Sequence, residues 1–363
     1  MKTIGIAGGG QLGRMLTDAA RGLGFRVVVL DPTPDSPAAQ VADEQIVGDY
    51  KNAVMLRALA EKSDFLTYEI ESVNVEALEE ISHTIPVNPS PKTLSIIKDK
   101  LLQKRFLQDH DIPVAAFSDE IESFGYPYIL KARSGGFDGR GNARVENTGQ
   151  LQVAKEKLKN SPAYAERIVP FEKELAIVAV RTNDGNVEIY PLVETIHKNH
   201  ICHEVLAPAS VGTDVAKKAH DLGQKVLGSF DGAGVFAIEM FLVGDDVLVN
   251  EVAPRVHNSG HFTIEACETS QFENHIRAVA GMPLGSVAMK VPAAVMVNIL
   301  GGRSGEAEPK GVETAEKIEG VKVHIYGKMD TRPERKMGHI TAVAETLGEA
   351  KEKAEKARTL VSI

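Results

Sequence analysis

Two apolar segments in the middle of the chain constrain its fold, because together they have the pattern of a tight β-hairpin. Residues 235–243 and 247–252 are rich in β-branched and other apolar side chains, and Gly244-Asp245-Asp246 separates them. Short connections that contain glycine and aspartate are typical of hairpins between such segments. The pattern therefore predicts two neighbouring antiparallel strands in the core of the protein.

The predicted hairpin carries two glutamates that face each other or nearly do so. With a three-residue connection Glu239 lies opposite Glu251, whereas with a two-residue connection it faces Asn250. Directly opposed side chains lie roughly 5 Å apart at Cβ, and like charges placed so are destabilising unless something compensates them. Oxygen ligands at that separation suit Mg²⁺ shared with phosphate. A solvated hairpin is the alternative, but the same face also carries Val247 and Val249. We therefore expect Glu239, Asn250 and Glu251 to bind metal.

The loop that follows the hairpin is dense in polar side chains. Within seven positions it contains Arg255, His257, Asn258, Ser259 and His261. Polar residues concentrated on a loop that leaves a sheet usually bind a ligand. The metal site and this loop are thus expected to form one functional region.

The N-terminal residues alternate between strand and helix. Residues 3–7 and 25–30 have strand character and flank a predicted helix at 11–23, which is preceded by a GxGxxG motif at 8–13. The alternation continues to residue 82 and predicts a doubly wound parallel sheet. Such a glycine loop can hold any phosphate. Because Asp31 stands where a ribose-binding acid would be, an NAD-dependent oxidoreductase is an alternative.

A second glycine-rich loop follows a predicted strand at residues 126–132. The strand ends near Lys131, and residues 133–141 contain four glycines. Glycines at that density cannot pack a core, but they allow the backbone to approach phosphate closely. We therefore expect a flexible lid over a nucleotide.

Composition limits the classes of function. The 363 residues carry a net charge of −9, which argues against a nucleic-acid surface. The N-terminal apolar stretch is too short for a signal peptide, and no segment is long enough to span a membrane. Two distant cysteines indicate neither a disulfide scaffold nor a zinc site. We expect a cytoplasmic protein that acts on small molecules.

The run NExAPRxHNSGH at residues 250–261 resembles the metal and substrate segment of the ATP-grasp ligases, most closely the 5-(carboxyamino)imidazole ribonucleotide synthetases of purine biosynthesis. The resemblance spans essentially the whole chain. It implies a three-domain α/β protein, with a Rossmann-like domain at 1–90, an ATP-grasp domain at 91–290 and a small C-terminal α/β domain at 291–363. It also implies a homodimer.

The resemblance assigns residues to ATP and two Mg²⁺ ions. The residues implied for the nucleotide are Lys100, Lys131, Ser134, Gly135, Gly136, Asp138, Gly139, Gly141, Glu166, Val169, Glu174, His197, Asn250 and Glu251. Glu166 begins the hinge at the adenine edge, and Glu174 is the ribose-binding acid. The family usually has Tyr where this chain has Phe137.

For the second substrate, 5-aminoimidazole ribonucleotide, the resemblance implies Gln11, Leu12, Glu69, Glu71, Arg140, Asn258, Ser259, Lys328, Arg335 and Lys336. The sequence does not decide between Glu69 and Glu71. Lys328, Arg335 and Lys336 belong to a basic cluster in an otherwise acidic chain, which itself suggests a phosphomonoester site. Arg255, His261 and Lys131 are the implied catalytic residues, acting on carboxyphosphate made from ATP and bicarbonate.

One alternative within the same fold is the formate-dependent glycinamide ribonucleotide transformylase. That enzyme typically has HDTG where this chain has residues 257–260, HNSG. The oxidoreductase alternative uses only the first 31 residues and leaves the lid and the hairpin carboxylates unexplained. The sequence thus favours an ATP-dependent carboxylation.

Overall fold

The computed structural model describes residues 1–135 and 141–363. Its N-terminal elements are β1 (Thr3–Ala7), α1 (Gln11–Gly22), β2 (Arg26–Asp31), β3 (Glu44–Val47), α2 (Ala53–Glu61), β4 (Phe65–Tyr68) and α3 (Val75–Ser82). The four strands form a parallel sheet in the order β3-β2-β1-β4. Helices cover both faces of this sheet, so the predicted doubly wound domain is confirmed.

Burial explains why these residues form these elements. All five residues of β1 are buried, as in a parallel strand covered on both faces. In α1, Leu12, Leu16 and Ala20 recur every fourth residue and are buried on one helix face. Burying a leucine side chain stabilises the fold by about 1.5–3 kcal/mol. This face packs toward α9, a later helix that spans Gln271–Val279.

The next region forms a small antiparallel sheet. Its elements are α4 (Pro91–Ile97), α5 (Lys100–Asp109), β5 (Phe117–Ser118), β6 (Tyr128–Ala132), β7 (Asn142–Val145), α6 (Thr148–Lys157) and β8 (Ala163–Arg167). The strands lie in the order β5-β8-β6-β7. The sequence pattern predicts one helix over residues 95–109, but this prediction is wrong because the structure has two helices here. Asp99 interrupts it, because its carboxylate accepts hydrogen bonds from the Leu101 and Leu102 N–H groups and caps α5.

The central region supplies β9 (Lys173–Arg181), β10 (Val187–Ile189), β11 (Val193–Lys198), β12 (Ile201–Ala207), α7 (Thr213–Ser229), β13 (Gly234–Val243), β14 (Asp246–Ala253), α8 (Thr263–Ala266) and α9 (Gln271–Val279). The predicted strand at 189–196 is divided between β10 and β11, and His197 lies within β11 instead of after it. Each sheet partner here is antiparallel.

The C-terminal elements are β15 (Ala293–Leu300), β16 (Gly305–Glu306), α10 (Val312–Ala315), β17 (Val321–Ile325), β18 (Asp330–Thr331), β19 (Lys336–Ala344) and α11 (Leu347–Leu360). The sequence pattern predicts two strands in this region, at residues 293–300 and 321–326, and β19 was missed. It lies between β15 and β17 and is buried along most of its length, so it lacks an alternating pattern.

A nine-stranded sheet joins the central and C-terminal regions. Its order is β14-β13-β9-β11-β12-β15-β19-β17, with β10 paired to β9. Because β12 pairs with β15, strands β15, β19 and β17 continue the central sheet, while β16 and β18 pair with each other in a separate two-stranded sheet. Among the helices of the described chain, none combines the length and the apolar character that crossing a bilayer requires.

Candidate active site

The hairpin of β13 and β14 brings the two predicted metal-binding glutamates together by an unexpected route. Val243 pairs with Asp246, so the connection has two residues, and an unbroken register would place Glu239 opposite Asn250. A β-bulge shifts the register, and Glu239 pairs with Glu251 instead. Asn250 is the extra residue of the bulge. All three side chains of the predicted metal site therefore lie at one irregularity in the sheet.

Lys100, the first residue of α5, partly neutralises this carboxylate pair. Its Nζ lies 2.6 Å from Glu251 Oε2. Burial alone would raise the pKa of Glu251, but Lys100 and Lys131 hold it below its ordinary value. Burial raises the pKa of Glu239, and the Glu251 charge raises it further. A carboxylate pair with this excess of negative charge fits a divalent cation.

Lys131 lies on β6, in a different sheet from the hairpin. Its Nζ donates to Asn250 Oδ1 at 3.2 Å and pairs with Glu166 of β8. The other Glu166 oxygen lies 2.9 Å from the Nζ of Lys104. Lys104 is almost fully buried, with only 2% of its side chain exposed. The sequence contained no sign of this, because its partner lies 62 residues further along the chain.

The base of the predicted lid is held against α5. Arg133 pairs with Asp99, and the Lys100 N–H donates to the Arg133 carbonyl at 2.8 Å. Of the residues assigned to the lid, Ser134, Gly135 and Gly141 are described, and Gly135 has a φ of +73°. The remaining assigned residues lie outside the described part of the chain: Gly136, Phe137, Asp138, Gly139 and Arg140.

Glu174 and His197 face each other from neighbouring strands. Glu174 Oε2 lies 2.7 Å from His197 Nδ1. Burial would lower the pKa of His197, but the hydrogen bond and charge of Glu174 raise it. Val169 follows β8 on a half-buried loop. The structure thus brings the assigned ribose acid and the assigned histidine into one contact.

The two acids that the sequence could not separate have different surroundings. The half-buried Glu69 carboxylate accepts hydrogen bonds from the Gly10 and Gly13 N–H groups at 2.6 and 2.9 Å. Glu71 pairs with Arg255 at 3.0 Å. Glu69 therefore fixes the glycine loop, whereas Glu71 lies beside the polar loop that follows the hairpin.

The contacts of Glu69 and Asp31 with the glycine loop argue against the NAD-dependent oxidoreductase alternative. At the start of α1, Glu69 already occupies the position that a pyrophosphate would take, and Asp31 accepts the Gly9 N–H at 2.8 Å. The predicted contact Gln11 is half-buried at the same helix start, but the Leu12 side chain belongs to the core. Only the backbone of Leu12 is available to a substrate.

The polar loop is fixed by its own hydrogen bonds. His257 Nδ1 accepts the Ser259 N–H at 3.3 Å, so the neutral ring carries its proton on Nε2, which lies 3.5 Å from Glu239 Oε1. Burial, reinforced by Arg255, lowers the pKa of His257 well below its ordinary value. His257 was not among the residues assigned a role, although it directly faces the metal site.

Asn258 and His261 contact residues from other parts of the chain. Asn258 exchanges two hydrogen bonds with Asn298, at 2.7 and 3.0 Å. His261 is fully buried against Phe272 and His339, and burial lowers its pKa to about 3. The resemblance implies a catalytic role for His261. The structure places its side chain beneath the loop, with none of its surface exposed.

The basic residues of the C-terminal cluster have different neighbours. Lys328 Nζ donates to the Lys336 carbonyl at 2.6 Å, and Arg335 donates to the Asp330 carbonyl. The charge of Lys336 lowers the pKa of His257 and of His261. Lys336 therefore extends toward the hairpin.

The loop that carries Lys328 is also tied to the N-terminal domain. Gln40 Nε2 donates to the Gly327 carbonyl at 2.8 Å. The Glu69 charge acts on the pKa of Lys328, which places this lysine near the glycine loop. The predicted phosphate cluster and the predicted glycine loop thus form one region.

A second group of possible metal ligands, Glu265, His324 and His339, lies behind this cluster. His324 Nε2 already pairs with Glu265 at 2.8 Å. The rings of His324 and His339 are stacked, with centroids 4.5 Å apart. We interpret this group as a hydrogen-bonded support for β19.

Comparison with family models matches three consecutive regions of the chain. Residues 1–98 match the ribonucleotide synthetase preATP-grasp domain, residues 100–272 the ATP-grasp domain, and residues 294–353 the phosphoribosylaminoimidazole carboxylase C-terminal domain. The fold and the site define an ATP-grasp carbon–nitrogen ligase of the ADP-forming type.

Solved structures narrow the class. The N5-carboxyaminoimidazole ribonucleotide synthetase from Thermotoga maritima is 44% identical, with a TM-score of 0.91, over 100% of this chain and 99% of that one. This chain belongs to the N5-carboxyaminoimidazole ribonucleotide synthetase family. The Aspergillus clavatus synthase, solved with ADP and 5-aminoimidazole ribonucleotide, is 38% identical, with a TM-score of 0.90, over 99% and 98%.

Some relatives are longer. The phosphoribosylaminoimidazole carboxylase of Ogataea methanolica is 45% identical over 95% of this chain but only 67% of its own length. The chain therefore spans about two thirds of the length of such carboxylases.

Proposed function

We propose that this chain carboxylates 5-aminoimidazole ribonucleotide to 5-(carboxyamino)imidazole ribonucleotide, with ATP and bicarbonate as the other substrates. One observation carries the proposal: within the Glu239–Glu251 pair Glu251 contacts Lys100, the neighbouring Asn250 contacts Lys131, and Arg255, four residues after Glu251, pairs with Glu71. Phosphate-facing cations and a substrate-facing loop thus meet at one carboxylate pair.

In this proposal, Lys100 and Lys131 bind the ATP phosphates, and Glu174 with His197 lies at the ribose. Their contact at 2.7 Å holds the Glu174 carboxylate in place before a ribose hydroxyl arrives. Glu166 would present the backbone of β8 to adenine, since its carboxylate is held by two lysines.

Glu239, Asn250 and Glu251 would hold Mg²⁺. When bound, the ions neutralise the phosphoryl group that is being transferred. Their number, two, is carried over from the resemblance. The side chains of Glu239 and Glu251 are 35% and 33% exposed, so both remain accessible to a metal and a nucleotide.

The proposed chemistry has two steps. A bicarbonate oxygen attacks the γ-phosphorus of ATP, ADP leaves, and carboxyphosphate forms. The exocyclic amine of the ribonucleotide then attacks the carboxyl carbon, the bond from that carbon to the phosphate oxygen breaks, and the departing phosphate takes up the proton that the amine loses. Arg255 would stabilise the carboxyphosphate, and the Nε2–H of His257 would donate to one of its oxygens. Both groups are held in place before substrate binds, by Glu71 and Ser259 respectively.

The ribonucleotide would lie between the loop after the hairpin and the C-terminal cluster. Glu71 is the acid better placed for the amino-imidazole, because Glu69 is engaged by the glycine loop. Lys328, Arg335 and Lys336 would hold the 5-phosphate. Formation of a homodimer and a cytoplasmic location are further parts of the proposal that rest on the sequence alone.

One assay tests the reaction. ADP release should require 5-aminoimidazole ribonucleotide and bicarbonate together. Release that instead requires formate and glycinamide ribonucleotide would establish the transformylase alternative. Product identification by isotope-labelled bicarbonate would separate true carboxylation from uncoupled ATP hydrolysis.

A further inference from the structure

Lys104 is buried to a degree that is unusual for a lysine. Its side chain is 2% exposed, and its ammonium group lies 2.9 Å from Glu166 Oε2, itself on a side chain that is 3% exposed. It also donates to the Val249 carbonyl on β14 at 3.3 Å. Lysine is almost never fully buried unless it is paired. Lys104 therefore links α5, β8 and the strand that carries Asn250 and Glu251.

Glu166 is shared between two ammonium groups. Its second oxygen pairs with Lys131, and Lys131 also reaches Asn250 Oδ1 at 3.2 Å. Burial would raise the pKa of Glu166, but Lys131 and Lys104 together lower it, so the carboxylate is charged. Burial lowers the pKa of Lys104, an effect that the charge of Glu166 opposes. With both lysines protonated, the three groups carry one net positive charge. Lys131, at 12% exposure, is the member that reaches the proposed nucleotide site.

We propose that Lys104 is a positioning residue that neutralises Glu166 and so leaves the charge of Lys131 available to the ATP phosphates. The inference rests on the proposed function of Lys131 and extends it. Without Lys104, the buried Glu166 carboxylate would have Lys131 as its single strong partner. Lys131 would then be held by Glu166, and the net charge offered to ATP would fall to zero.

Lys104→Met tests this, because methionine keeps most of the apolar stem and removes the charge. A charge-assisted hydrogen bond corresponds to about a ten- to hundred-fold effect on binding. We therefore expect the KM for ATP to rise roughly ten-fold or more, with the KM for the ribonucleotide unchanged. Arg105→Met, one residue further on α5, is the matched control, since Arg105 pairs with Asp119 at the surface. It should leave both KM values unchanged.

The double variant Lys104→Met/Glu166→Gln separates charge balance from simple packing. It removes both partner charges, restores one net positive charge on Lys131, and leaves no buried carboxylate without a counter-charge. Its KM for ATP should return to within about three-fold of the wild-type value, as expected when a buried pair is removed as a unit. Because it leaves no buried carboxylate unpaired, it also serves if Lys104→Met does not fold, which thermal unfolding would reveal.

The outcomes distinguish the inference from the function on which it rests. An unchanged KM for ATP in Lys104→Met, or a double variant whose KM for ATP stays ten-fold raised, overturns the role of Lys104. If Lys131→Met also leaves the KM for ATP unchanged, the proposed nucleotide site is wrong as well. A raised KM in Lys131→Met and Lys104→Met, with recovery in the double variant, supports both.

Discussion

The pKa of Lys328 predicts how recognition of the ribonucleotide depends on pH. Burial, reinforced by Arg335, lowers it to about 8, although the Glu69 charge acts in the opposite direction. The charged fraction of Lys328 in the free enzyme should then fall from about nine-tenths at pH 7 to about one-tenth at pH 9. Because the neutral amine does not attract phosphate, kcat/KM for the ribonucleotide should fall about ten-fold across this range.

The assay is kcat/KM for 5-aminoimidazole ribonucleotide at saturating ATP and bicarbonate, from pH 6.5 to 9.5. This quantity reports the ionisation of the free enzyme. Lys328→Arg is the matched variant, since a guanidinium stays charged throughout. Its kcat/KM is expected to be lower at pH 7 but flat with pH. The KM for ATP should not follow the same curve, because Glu251 raises the pKa of Lys100 in spite of burial.

Two results would refute this reasoning. A wild-type profile that stays flat to pH 9.5 would mean that Lys328 does not contact the phosphate as an ammonium group. An equal fall in Lys328→Arg would assign the titration to another group.

Three further mutations and one ligand-binding experiment test other parts of the protein. Glu251→Gln should abolish ADP formation while the circular dichroism spectrum is unchanged; near-normal turnover with Mg²⁺ would contradict the metal site. Arg335→Ala should raise the KM for the ribonucleotide about ten- to hundred-fold and leave the KM for ATP unchanged. A change in the KM for ATP alone would mean that the ATP and ribonucleotide phosphate sites had been assigned to the wrong regions. Burial lowers the pKa of His275 to about 3, so below about pH 6.5 the unfolded chain binds a proton at this histidine that the folded chain does not bind. The folded state should therefore lose about 2 kcal/mol of stability through this group by pH 5. His275→Gln should lose less stability than the wild type over the same pH range, as measured by thermal unfolding. Calorimetry should detect no NAD binding at residues 8–13, and micromolar affinity lost in Asp31→Ala would restore the oxidoreductase alternative.

Local sequence determined much of the secondary structure and the composition of the site. The sequence pattern predicts strands at 3–7 and 293–300 and helices at 75–82 and 347–360. The observed bounds of β1, β15, α3 and α11 match these predictions, because each is a continuous apolar strand or a helix with clear ends. Contiguous motifs also pointed to the hairpin carboxylates, the glycine loops and the basic cluster, because the residues of each motif lie close together in the sequence.

Tertiary structure decided which of these residues meet and what each one faces. The bulge at Glu239, the burial of Lys104 by Glu166, and the binding of Glu69 to the glycine loop all depend on partners from distant parts of the chain. The same holds for β19, which is a strand because β15 and β17 cover its edges. A residue's charge state and exposure depend on the groups packed around it, and local sequence does not specify those groups.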